Sequence, residues 1–286
     1  MSAIRGASVV VPLLWLLLAR VPAGADAPPQ QPPDLDALAR SVLEGLLRDY
    51  RKEPRFMYVE KRRDVEISKL GKVSVGPLRT FEVYPRLYGE DYKRLIEIEG
   101  KPLDPAELAK RDEEHRRNEA RRAERERLES PQRRAARLQK EQDELLETIE
   151  DAGRVFTFHF VGHETFAGEP VIVVDLKPRA DARVTTREGD WMKKTAGRLW
   201  IAESDHRVAR IRLNCVDELS FGWGVVARIE TGSGFEYVRK RIGDAWVPLQ
   251  MTMEGSGRTL LFRRFSVKTV TTYSNHQRLT PQTGSR

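Results

Sequence analysis

The chain has 286 residues, a formal charge of +7, and 33% charged and 40% hydrophobic residues. It is long enough to bury one large β domain or two small ones, and too apolar for a disordered chain. Its single cysteine, Cys215, excludes an intramolecular disulfide.

In chain order, Arg5 precedes an apolar run over residues 9–18, and Ala23-Gly24-Ala25 or Ala25-Asp26-Ala27 then offers small residues at cleavage spacing. This is the pattern of a secretory signal peptide over residues 1–27, cut near Ala25 or Ala27. The run is shorter than the roughly 20 residues a spanning helix needs, so an uncleaved anchor is the weaker reading. No cysteine lies near the site to carry a lipid. An exported chain without disulfides points to a bacterial envelope, where a large core needs no covalent staples. Cys215 falls in phase with Ala209, Ile211 and Leu213 and reads as a core thiol.

Residues 28–33 form a Pro-rich linker. Asp34 can cap a helix in which Leu35, Leu38, Val42, Leu43, Leu46 and Leu47 share one stripe as far as Tyr50. Strands are expected over residues 56–67, 73–84 and 92–98. Then the composition changes. Asp104 and Pro105 open a charged helical insert (101–150) in which Ser130-Pro131 marks a turn between two helices. No large apolar residue lies between Ala109 and Leu128, so the first helix is solvated, whereas Leu138, Leu145, Leu146 and Ile149 let the second dock.

From Arg154 onward the chain reads as strands. Phe156, Phe158 and Phe160 alternate with polar positions; residues 163–169 are expected as a loop and 170–176 as the next strand. Further strands are expected over residues 199–202, 208–216, 225–230, 235–242, 246–253 and 259–273. Thr231-Gly232-Ser233-Gly234, Gly243-Asp244 and Gly255-Ser256-Gly257 are expected as turns. The insert is nearly neutral, while residues 206–286 carry 13 Lys/Arg against 6 Asp/Glu. That excess suits an anionic membrane surface or headgroup, or simply a solvated face; export and the lack of a recognised motif argue against nucleic acid.

Two stretches carry a family resemblance. One is Gly197-Arg198-Leu199-Trp200-Ile201 running through Asp205-His206-Arg207-Val208; the other is Gly243-Asp244-Ala245-Trp246-Val247-Pro248. With the order of leader, helix, strands, helical interruption and long antiparallel run, the chain resembles the LolA/LolB-like superfamily of bacterial lipoprotein carriers, and most of all outer-membrane lipoprotein-sorting proteins. The match is strongest over residues 154–280. It implies an α+β fold: a curved antiparallel sheet forming an incomplete barrel, plugged by helices. The domain would span residues 34–280, interrupted by the insert and followed by a tail at 281–286. It further implies a monomeric periplasmic protein that binds a lipid or a lipidated protein and needs no cofactor. The insert is longer than a plug requires, so an envelope sensor that docks a protein partner through residues 104–150 is the alternative.

Catalytic and metal sites are not expected. His159 and His163 would stand about 13 Å apart on a strand, Asp205-His206 reads as a turn, and no serine sits in a nucleophile elbow. The functional signal is aromatic. Phe156, Phe158, Phe160, Trp200, Phe235, Tyr237, Met251, Met253 and Phe262 are the candidate pocket residues, with Arg239, Arg241, Arg263 and Arg264 for a headgroup. An ordinary core between sheet and helix would use the same residues.

Overall fold

A helix, α1 (Leu35–Lys52), leads into β1 (Phe56–Ile67), β2 (Val73–Tyr84), β3 (Tyr92–Ile98) and the two-residue β4 (Lys101–Pro102). The insert follows as α2 (Pro105–Leu128) and α3 (Pro131–Val155). Then come β5 (Phe156–Phe166), β6 (Glu169–Pro178), the short α4 (Arg187–Met192), β7 (Thr195–Ala202) and β8 (Val208–Cys215). The chain closes with β9 (Leu219–Phe221), β10 (Ala227–Ile229), β11 (Gly234–Ile242), β12 (Ala245–Thr259) and β13 (Arg263–Arg278). This computed structural model describes residues 32–52, 56–67, 72–85, 91–221, 227–259 and 263–279. The expected leader, most of the linker, Phe262 and the tail lie outside the described residues.

Among the described residues thirteen strands join one antiparallel sheet in the order β4-β3-β2-β1-β13-β12-β11-β8-β7-β6-β5, with β9 and β10 as a side branch on β12. Among the described residues β4 and β5 do not pair, so the sheet is an open, incomplete barrel. The β1–β13 pairing joins the first four strands to the rest of the sheet.

The core follows from strand alternation. Ile172, Val174 and Leu176 of β6 and Leu199 and Ile201 of β7 face the helices, where Leu38 and Val42 of α1 pack on them. Val171, Val173, Trp200, Ala202, Ala209 and Trp246 make a second cluster on the opposite face. Thus β6 is buried on both sides, which is why residues 171–174 read as an unbroken apolar run. Each full aliphatic burial contributes about 1.5–3 kcal/mol.

The two resemblance stretches meet. The Trp246 indole N–H donates to Asp205 Oδ2 at 3.1 Å, and Arg241 lies over the Trp246 ring at 5.0 Å. They staple the turn after β7 to the hairpin between β11 and β12, a structural role.

Three local expectations are corrected. The loop at 163–169 is only the turn Ala167-Gly168, both at positive φ (50° and 84°), so β5 runs on to Phe166. Gly255-Ser256-Gly257 is not a turn but part of β12, near its end. A Cβ on Gly257 would stand 2.0 Å from the Arg228 carbonyl oxygen, so glycine there admits β10 rather than bending the chain. The insert's second helix continues to Val155, and α4 was not foreseen.

Candidate functional site

Between the helices and the sheet lies a cavity of about 470 Å³. Its roof is α1, through Ala39, Arg40, Val42, Leu43 and Leu46, and the end of α3, through Ala152 and Gly153. Phe156 and Phe158 form one wall, and Leu176, Leu199, Val208, Ile211 and Leu213 form the floor. Met192 of α4 and Tyr237 and Arg239 of β11 complete the lining. The polar lining is confined to Asp36, Arg40, Tyr237 and Arg239. A volume of this size, mostly apolar with a few polar groups in its lining, is the usual form of a small-ligand site.

Local chemistry sets the roof. Asp34 Oδ1 accepts from the N–H groups of Asp36 and Ala37 at 3.0 Å, capping α1. Ser41 Oγ meets His206 Nδ1 at 2.8 Å and ties the middle of α1 to the turn after β7. His206 itself stands at φ 54°, in the left-handed region. Gly153 lets α3 approach α1, since a Cβ there would be 3.0 Å from Leu43 Cδ1.

The end of α3 is fixed by Asp151, whose side chain is fully buried. Its carboxylate accepts from Thr185 N (2.9 Å), Thr186 N (2.8 Å), Thr186 Oγ1 (2.7 Å) and Arg154 Nη1 (2.9 Å). Burial pushes this carboxyl up, but the hydrogen bonds from Thr186, Thr185 and Arg154 outweigh it and hold its pKa at about 2. Thr186 in turn caps α4, the helix that carries Met192.

Beyond Tyr237 the same sheet face becomes polar. Glu60 is 2% exposed and is held by Lys93 Nζ at 2.8 and 3.0 Å and Arg62 Nη1 at 3.0 Å. Burial, then the charge of Glu60, pushes the Tyr273 hydroxyl up to about 12. The face thus grades from apolar beneath the helices to charged under the far strands.

Of the sequence candidates, Phe156, Phe158, Tyr237 and Arg239 line the cavity. Phe160 packs beside it on the core cluster. Phe235 stacks on Tyr237 (centroids 6.4 Å apart), and Met253 and Met251 are their cross-strand partners, so these three extend the same face past the cavity. Trp200 does not reach it. Leu199 and Ile201 point inward, so alternation turns Trp200 to the other face, where its N–H donates to Glu164 Oε2 at 3.0 Å. Arg239 is the one headgroup candidate in the wall, and its Nη2 donates to the Trp246 carbonyl at 2.9 Å. Arg241 is engaged by Glu169 and Asp205. Arg264 sits on an exposed face opposite Arg258, and the Arg263 side chain is outside the described residues.

Several cations of the C-terminal strands are held in ion pairs: Arg210 and Arg212 with Glu236, Arg228 with Glu218, Lys268 with Glu254, and Arg278 with Asp244. The aliphatic floor and Met192 were missed as site residues. The floor residues are inward strand positions, and aliphatic side chains carry no signal that separates a site from a core. Burial pushes the Cys215 thiol up, away from nucleophilic use. Among the described residues no group of three or more His, Cys, Asp or Glu could hold a metal ion.

A scan of family models finds no match, and neither does a search of curated proteins. Solved structures give distant likenesses. A putative outer membrane lipoprotein-sorting protein domain from Vibrio parahaemolyticus has 11% identity and TM-score 0.31, over 87% of this chain and 95% of that one. A DUF1329 family protein from Desulfovibrio piger has 11% identity and TM-score 0.31, over 88% and 95%. A LolA superfamily protein from Nitrosomonas europaea has 8% identity and TM-score 0.29, over 86% and 94%. Scores of that size carry no argument, so the fold assignment rests on the strand order and helix placement above.

Proposed function

We propose that this is an exported periplasmic protein, with its leader removed near Ala25 or Ala27, that binds a lipid, a lipoprotein acyl chain or another amphiphile. The observation that carries this reading is the 470 Å³ cavity between α1, α3 and the sheet, with an apolar floor and few polar residues in its lining. Binding works by burial: each methylene moved out of water contributes about 0.8 kcal/mol, before the costs of association are deducted. The aromatic and methionine residues beyond Tyr237 give the ligand's polar end a graded surface on which to emerge. The helix α1 gates entry, since it forms the roof of the cavity and Ser41 ties it to the turn at His206. The reading is of a binding protein rather than an enzyme, and its support is a cavity with an aliphatic floor.

The test is native mass spectrometry of the protein purified from its own envelope, with organic extraction of whatever accompanies it. A stoichiometric lipid or acylated peptide supports the proposal and names the ligand. A clean apo mass that stays unchanged after incubation with long-chain fatty acids and phospholipids overturns it.

A further inference from the structure

Arginine is concentrated in one part of this chain. Residues 116–137 hold nine arginines, no lysine and four glutamates, an excess of five positive charges. Residues 138–151, by contrast, hold six acidic residues and one lysine. The insert is therefore polarised rather than balanced along its length. The basic part is the outer half of α2 and the first turns of α3, joined by Glu129 and Ser130, both extended.

The roots of the two helices are fixed and the tip is exposed. Arg94 grips Asp112 through Nε and Nη2, both at 2.8 Å, and Tyr92 stacks on His115. Asp151 anchors the far end of α3. From His115 to Leu128 the helix extends about 20 Å. Along it Arg117, Arg121 and Arg125 recur every fourth residue and Leu128 follows three later, on a stripe shared with Glu124, which Arg127 holds at 2.8 and 2.9 Å. The three arginines are exposed, and Leu128 is 69% exposed.

We propose that this tip docks on an anionic bilayer surface. The guanidiniums would engage lipid phosphates as two-pronged donors, and Leu128 would enter the interfacial layer. A flat polyanion fits better than a folded protein, because the stripe offers charge and one apolar side chain but no shaped apolar pocket. The inference stands apart from the cavity reading. If both hold, the arm brings the cavity to the membrane.

The test is co-sedimentation of the full chain with phosphatidylcholine vesicles containing roughly a third phosphatidylglycerol, against pure phosphatidylcholine, at low and high salt. The expected result is binding to the anionic vesicles alone, weakened by salt. Replacing Arg117, Arg121 and Arg125 by glutamine should lower the partition coefficient about a hundredfold, at a factor of about five per charge. Leu128→Ser should lower it about fivefold. Circular dichroism checks that each variant keeps its fold, and uptake of a fluorescent fatty acid should be unchanged in both. No binding to anionic vesicles, equal binding to neutral ones, or unaltered binding by the folded triple variant overturns the proposal. Capture of a soluble protein by the tip, without vesicle binding, does the same.

Discussion

Replacing Asp151 by alanine should destabilise the protein by about 3 kcal/mol. The carboxylate is fully buried and accepts from Thr185 N, Thr186 N and Thr186 Oγ1, besides its ion pair with Arg154. Removing it leaves three part-buried donors without their acceptor, and each costs about 1 kcal/mol. The damage should be local first, because the same residue holds α3 and α4 where Gly153 and Met192 enclose the cavity. The pH dependence follows from the depressed pKa. A carboxyl at about 2 in the folded state and about 3.9 unfolded contributes stability that is complete above pH ~4. That contribution is lost as pH falls from about 4 toward 2. Urea unfolding followed by tryptophan fluorescence, with wild type, Asp151→Ala and Asp151→Asn measured across this window, reads both effects. Asp151→Asn keeps the shape but should lack this part of the acid sensitivity. A cost below about 1 kcal/mol for Asp151→Ala, or identical pH profiles for wild type and Asp151→Asn, would refute the reasoning.

Three further predictions follow from named contacts. Gly257→Ala should cost about 1–3 kcal/mol in a chemical denaturation series because its Cβ meets the Arg228 oxygen at 2.0 Å, whereas Gly255→Ala, with nothing nearer than Ser233 Oγ at 3.6 Å, should be near neutral. Ser41→Ala removes the tie to His206, about 1 kcal/mol, so amide exchange across residues 35–47 should quicken about fivefold while the strands stay protected. Phe158→Asp should abolish uptake of a fluorescent fatty acid, and Trp200→Phe should leave it intact because Trp200 lies on the other face; loss in both variants, with the fold retained, would contradict the assignment of faces.

Much of this architecture was legible from residue patterns alone. The first three strands fall where alternation and turn residues put them, and the insert breaks at Ser130-Pro131 because serine caps and proline starts a helix. What failed had specific causes. Gly257 looks like a turn residue in sequence, yet its role is to let a third strand approach, which only pairing reveals. Trp200 is as aromatic as Phe158, but which face it takes depends on Leu199 and Ile201 meeting α1, a contact between distant segments. The short α4 has no apolar period of its own, and it exists because Thr186 and Asp151 cap and hold it. The cavity floor is aliphatic, and aliphatic strand positions do not announce a site in the way aromatic ones do.

The most direct test of the cavity as the binding site is photo-crosslinking with a diazirine-bearing long-chain fatty acid, followed by peptide mapping. The account predicts adducts on Leu43, Phe158, Met192 and Leu213, suppressed by excess unlabelled fatty acid. Adducts confined to the opposite face around Trp200 and Trp246, or none at saturating probe, would contradict it.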